Sequence, residues 1–252
     1  MTTKLKFDGG WSATVTDEPL DLVPRLLGTS LIVSPYADRV EREKFLAETF
    51  GSQDLLWDLP DVFRFAPSDR QLVGAEFRIP EESASAEDSA RLPVQSEVRP
   101  GGLRADEAKD FRHEACTVLC RAPGDALLTC LRDLDVLDEP LDTRIGIAPD
   151  VALLVQHGTV VGWSLTDPAR YLTTGFATPD PAPPVPATLR LLTECLDLVT
   201  TPLVDDLVDG EPAVLARLQA ADRALREQRE DRHRADALLE LIATYVEDYG
   251  NG

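Results

Sequence analysis

Between residues 178 and 186 the chain reads TPDPAPPVP, five prolines in nine residues. Proline fixes φ and lacks a backbone N–H, so this run can enter neither a helix interior nor a central strand. It is expected to form an extended, semi-rigid spacer that separates two parts of different character. After it the pattern is helical. ATLRLLTECLDLV places Leu189, Leu192 and Leu196 on one face, with Leu191 and Cys195 beside them. From Ala213 to Tyr249 there is no Gly or Pro. There Leu218, Leu225, Leu239 and Val246 fall on a seven-residue repeat, as do Ala221, Ala235, Ile242 and Tyr249. The spacing predicts one long helix with a polar middle, REQREDRHR, whose apolar seam packs on the body or pairs with a second copy in a homodimer.

Before the prolines, strand and helix signals alternate. GTSLIVS (28–34), QLVGAEFRIP (71–80) and DTRIGIAP read as strands, and DRVEREKFLAETFG reads as a helix carrying Val40, Phe45, Leu46 and Phe50, stopped by Gly51. VALLVQ–HG–TVVGWSL predicts a β-hairpin turning at His157-Gly158, where glycine supplies the positive φ of a tight turn. Residues 81–107 are rich in Ser, Glu, Pro and Gly and lack either period, so they predict an exposed loop that enters a helix near ADEAKDFRHE. The expected fold is α+β: a mixed region of sheets and packed helices over residues 1–178, then a mostly helical segment over 187–252. GTSLIVSPYADR and GTVVGWSLTDPAR echo one another. Duplicated halves would explain the echo, but two short strands beside turn residues also match by chance.

Composition sets the class. An apolar fraction of 43% and a charged fraction of 28% belong to a globular chain. No run approaches the roughly 18 apolar residues of a membrane helix, and the first residues lack the apolar core of a signal peptide. Four cysteines then read as reduced thiols, and the expected location is the cytoplasm. The net charge is −20, spread as −7 over residues 1–100, −6 over 101–185 and −7 over 186–252. Phosphate contacts need clustered Lys and Arg, so nucleic acid is not an expected ligand. An even acidic surface keeps a protein soluble, and it also suits a basic protein partner.

HEACTVLC holds His113, Cys116 and Cys120, with Cys130 further on. Together they number the four ligands of a structural zinc site, but the spacing is not that of a tight knuckle with a second ligand pair. CTVLC favours a strand, on which the thiols are core fillers. No metal or other cofactor is expected. In RDLDVLDEPLD, the carboxylates Asp133, Asp135, Asp138, Glu139 and Asp142 are candidate partner-binding groups, carried on an exposed turn whose Leu131, Leu134 and Leu137 form a buried stripe. A calcium loop would need a central glycine and a terminal glutamate that this stretch lacks. Trp57, beside Asp58, is a candidate hot spot.

Catalytic motifs are sparse. GWSLT lacks the second glycine of a nucleophile elbow and sits in a strand. Asp61 with Glu107 and Lys109 matches a nuclease-type carboxylate–lysine pattern only in outline, and no catalytic residue is assigned. The expected function is therefore a non-catalytic acidic interaction protein that binds, neutralises or escorts a protein partner, as immunity proteins, inhibitors and secretion chaperones do. The alternative is a cytosolic hydrolase or transferase that uses scattered carboxylates with His113 or His157.

Overall fold

The computed structural model describes residues 3–52, 61–92 and 97–249. Its fold is α+β, with two mixed or antiparallel sheets and helices concentrated after residue 186. In chain order the first elements are β1 (Lys4–Lys6), β2 (Ser12–Thr16), β3 (Arg25–Leu27), β4 (Ser30–Val33), α1 (Arg39–Glu48), β5 (Phe50–Gly51), β6 (Val62–Phe65) and β7 (Leu72–Arg78). Next come β8 (Glu82–Ser83), α2 (Ala86–Ala90), β9 (Val98–Pro100), β10 (Gly102–Ala105), β11 (Val118–Arg121) and β12 (Leu127–Leu131). After these follow β13 (Thr143–Ala148), β14 (Val151–Gln156), β15 (Thr159–Thr166), α3 (Pro186–Leu198), α4 (Leu203–Val208), α5 (Pro212–Glu227) and α6 (Arg232–Tyr249).

The smaller sheet is antiparallel, in the order β3–β4–β7–β6–β5. In the larger one, pairings run β10–β2–β1–β15–β14–β13–β9. Because β9 leads into β10 through Gly101, this path returns close to where it began. Strands β12, β11 and β8 branch from the other half of β15. The hairpin expected at 151–166 forms, with His157 at φ 52 and Gly158 at φ 70. Its strands are covered on both sides and alternate between two cores, with a register shift at Val161, opposite Leu154 and Val155, that resets the alternation within β15. Leu153, Val155, Trp163 and Leu165 face the main core, while Leu154 and Val161 face a smaller cluster with Cys120, Leu131, Val136 and Leu137. At Gly162 the sheet admits no side chain, since a Cβ would lie 2.3 Å from the Cys130 carbonyl oxygen.

The main core lies between the two sheets, where Phe77 meets Trp163 at 5.2 Å and Phe7 meets Phe63 at 5.2 Å between ring centres. It runs on without a break into the helices through Leu192, Cys195, Leu218, Leu225, Leu238 and Ile242. By contrast, α1 lies on the surface and buries none of its residues, with Val40 75% exposed. Among the described residues no helix is long and apolar enough to cross a membrane.

Two expectations are corrected. Residues 81–107 are not a loop throughout. They contain β8, α2, β9 and β10, and Leu103 and Ala105 of β10 are fully buried. The segment reads as a loop because these strands are short and Pro100-Gly101-Gly102 resembles a turn. Gly102 instead answers a close approach, as a Cβ there would lie 2.1 Å from the Glu18 carbonyl oxygen. The single long helix is two, α5 and α6, parted at residues 228–231. Asp231, not Gly or Pro, makes the corner. Its buried carboxylate pairs with Arg234 at 2.9 Å and accepts from Thr188 at 2.7 Å. Arg234 donates in turn to the carbonyls of Asp180 and Ala182 in the proline-rich run, at 2.8 and 2.5 Å. Folding back lets Leu218 and Leu225 of α5 and Ile242 of α6 bury completely within one chain, a gain that a lone helix with a solvated middle cannot make. The seam offered to a second copy is thus filled internally at these positions.

Candidate functional site

The acidic stretch after β12 is built as a shelf. Leu134–Asp138 forms a 3-10 turn, the helix whose period is three residues, which is the spacing of its leucines. Val136 and Leu137 are buried beneath it. The Gln156 side-chain amide, at the end of β14, donates from below to the carbonyls of Val136 (3.0 Å) and Glu139 (2.9 Å). With the backbone fixed on the apolar side, Asp133, Asp135, Asp138, Glu139 and Asp142 are all exposed. Asp138 meets Arg91 at 2.6 Å, Glu139 meets His157 Nε2 at 2.7 Å, and Asp142 accepts from the Gly158 N–H at 2.8 Å. The structure therefore brings together five of the seven predicted partner-binding residues. Trp57 and Asp58 lie outside the described residues.

A second cluster gathers around His113 and Cys116, which do not share a strand face with Cys120. Strand β11 starts only at Val118, so Cys116 turns to the main core and Cys120 to the smaller one. His113 Nδ1 lies 2.8 Å from Asp8 Oδ2, and Arg132 Nη2 lies 3.0 Å from Asp8 Oδ1. The Cys116 thiol donates to Asp61 at 3.3 Å, and the Arg78 backbone N–H donates to the other Asp61 oxygen at 3.2 Å. Asp61 and His113 are 2% and 4% exposed.

The two carboxyls of this cluster are driven apart. Burial pushes Asp61 up to about 6, against the opposing pull of His113 and its hydrogen bonds. At Asp8 burial acts the same way but is outweighed by His113, the Glu114 N–H and Arg132, which bring it down to about 2. Burial and the Asp61 carboxyl hold the Cys116 thiol well above its ordinary value, and burial does the same to Cys130. Cys120 is pushed up to about 11 and Cys195 to about 12, chiefly by burial. Thiols in such surroundings stay protonated at neutral pH and are poor nucleophiles. Among the described residues no group of three His, Cys, Asp or Glu side chains is placed to hold a metal ion.

The remaining sequence candidates separate. Glu107 and Lys109 are exposed while Asp61 is buried, so the carboxylate–lysine pattern does not assemble. Ser164 of GWSLT is 1% exposed in β15 and accepts from Arg144 at 3.0 Å. Sequence reasoning missed Asp8, Arg132 and the pairing of Asp61 with the 113–116 segment. Asp8 and Arg132 are 124 positions apart and no local pattern joins them. Compared with protein-family models, curated proteins and solved structures, the chain matches none.

Proposed function

We propose that this is a non-catalytic acidic binding protein whose ligand is a basic surface of another protein, with the 133–142 shelf as the docking face. The observation that carries the proposal is the preorganisation of the shelf: five exposed carboxylates on a backbone pinned by Val136, Leu137 and Gln156. Charges held in place lose little freedom on binding, and an acidic field speeds encounter with a basic partner. The test is capture of the partner from the native cell lysate at low and high salt, with two charge-reversal variants. Asp133→Lys with Asp135→Lys abolishes capture. Glu240→Lys with Glu247→Lys, exposed on α6 and changing net charge equally, leaves it intact. Equal loss with both variants would reduce the effect to overall charge and overturn the docking face.

A second reading, a hydrolase or transferase, is favoured by one observation: a carboxyl raised to about 6 beside a histidine, the kind of pair that acid–base chemistry uses. It predicts that Asp61→Asn abolishes turnover in a metabolite screen, whereas the binding reading predicts that capture by Asp61→Asn equals wild type.

A further inference from the structure

The geometry points to a second binding site, for a short peptide with both ends free, in the cleft between the β1–β2 hairpin and the start of β13. The circuit of strands is loosest here, because β1 meets β15 through one register pair, Lys6 with Thr159. The opening holds about 690 Å³, within the size range of small-ligand sites. Val15 and Ile145, which pack with the main core, give it an apolar floor. Its charged lining is Asp17, Asp142 and Arg99, and among the described residues no ion pair joins Arg99 to either carboxylate. A cleft that presents both signs of charge over an apolar floor matches a zwitterion with an apolar middle.

The spacing sets the length of that zwitterion. Arg99 stands opposite Ile145 in the β9–β13 pairing, and Asp142 lies three positions before Ile145, about 10 Å away at ~3.3 Å per residue. This backbone spacing matches an extended peptide of about three residues better than a free amino acid, whose ammonium and carboxylate share one carbon. Asp142 Oδ2 is held by the Gly158 N–H at 2.8 Å, which fixes the rotamer and leaves Oδ1 for an ammonium. The Arg99 guanidinium offers the fork that a terminal carboxylate takes up. Strand β13 is already paired on both sides, so side chains and not strand addition do the recognising. This inference does not rest on the partner-binding role of the shelf.

The test is calorimetric titration of the full chain with Ala-Leu-Ala, N-acetyl-Ala-Leu-Ala, Ala-Leu-Ala-amide and L-leucine. Ala-Leu-Ala binds saturably, and each of the other three is weaker by about tenfold or more, the worth of one charge-assisted contact. Arg99→Gln, at an exposed position, weakens Ala-Leu-Ala by a similar factor and leaves the amide unchanged. Asp142→Asn weakens Ala-Leu-Ala and leaves the acetylated peptide unchanged. The inference is overturned by no saturable binding of Ala-Leu-Ala, by equal binding of the blocked peptides, or by indifference to Arg99→Gln.

Discussion

Replacing Asp61 by Asn changes how stability depends on pH, and both sign and size follow from the buried cluster. The folded carboxyl titrates at about 6 against an ordinary 3.8. An acid raised in this way holds its proton more tightly in the folded state. From about pH 4 to 6 the folded protein therefore binds more protons than the unfolded chain, and stability falls as pH rises. Integrated over the whole window the loss is about 3 kcal/mol, of which about 1.4 kcal/mol falls between pH 5 and 7.5. Asparagine does not titrate, yet its Oδ1 still accepts from the Arg78 N–H. Any packing cost of its amide beside Cys116 is the same at both pH values and cancels in the comparison. Measured by urea unfolding at pH 5.0 and 7.5, both above the sequence pI of about 4.4, the variant gains about 1.4 kcal/mol on wild type between the two conditions. A difference of less than about 0.3 kcal/mol, or one of opposite sign, would refute the account of Asp61 as a buried acid whose ionisation opposes folding.

The partner carboxyl behaves in the opposite way. Asp8, lowered to about 2, adds stability that is present above pH 3.8 and lost as pH falls toward 2, so Asp8→Asn costs about 2 kcal/mol at pH 7, read by urea unfolding. At the helical corner, Asp231→Leu or Arg234→Met alone strands a buried charge and costs about 3–5 kcal/mol, a fall in Tm of very roughly 6–20 °C at about 2–4 °C per kcal/mol. The double replacement costs less than either single one, and a double-mutant cycle by calorimetry checks this. Gln156→Ala removes two hydrogen bonds from beneath the shelf, costs about 1–2 kcal/mol, and raises amide hydrogen exchange over residues 134–140 above wild type.

The legible parts of the fold were those whose signals are local. The 151–166 hairpin is written in the alternation on either side of His157-Gly158, and the 3-10 turn of the shelf in the three-residue spacing of its leucines. What stayed hidden depends on distant partners. The seven-residue register carries across the α5–α6 corner, and only the meeting of Asp231 with Thr188, Arg234 and the proline-rich run shows that the chain must turn there. Strand β10 is four residues long and became legible only against β2, whose Val15 lies beside Leu103. The shelf carboxylates could be grouped from sequence because all five fall within residues 133–142. Asp8, Asp61 and His113 were not grouped because three unconnected segments bring them together.

The clasp at Asp231 and Arg234 also changes the mechanical character of the proline-rich run. A proline spacer between two bodies commonly sets their distance and leaves their orientation free. Here the run is held by Arg234 at the carbonyls of Asp180 and Ala182, and by Asp231 at the Val185 N–H, 3.4 Å away. It works as a strut whose ends are fastened to the corner of the helical hairpin. Loosening the helices then means releasing the strut, and releasing the strut uncovers the core that the helices share with the sheets. With the core shared between sheets and helices, the expected outcome is one melting transition by calorimetry and no early cut between residues 178 and 186 in limited proteolysis.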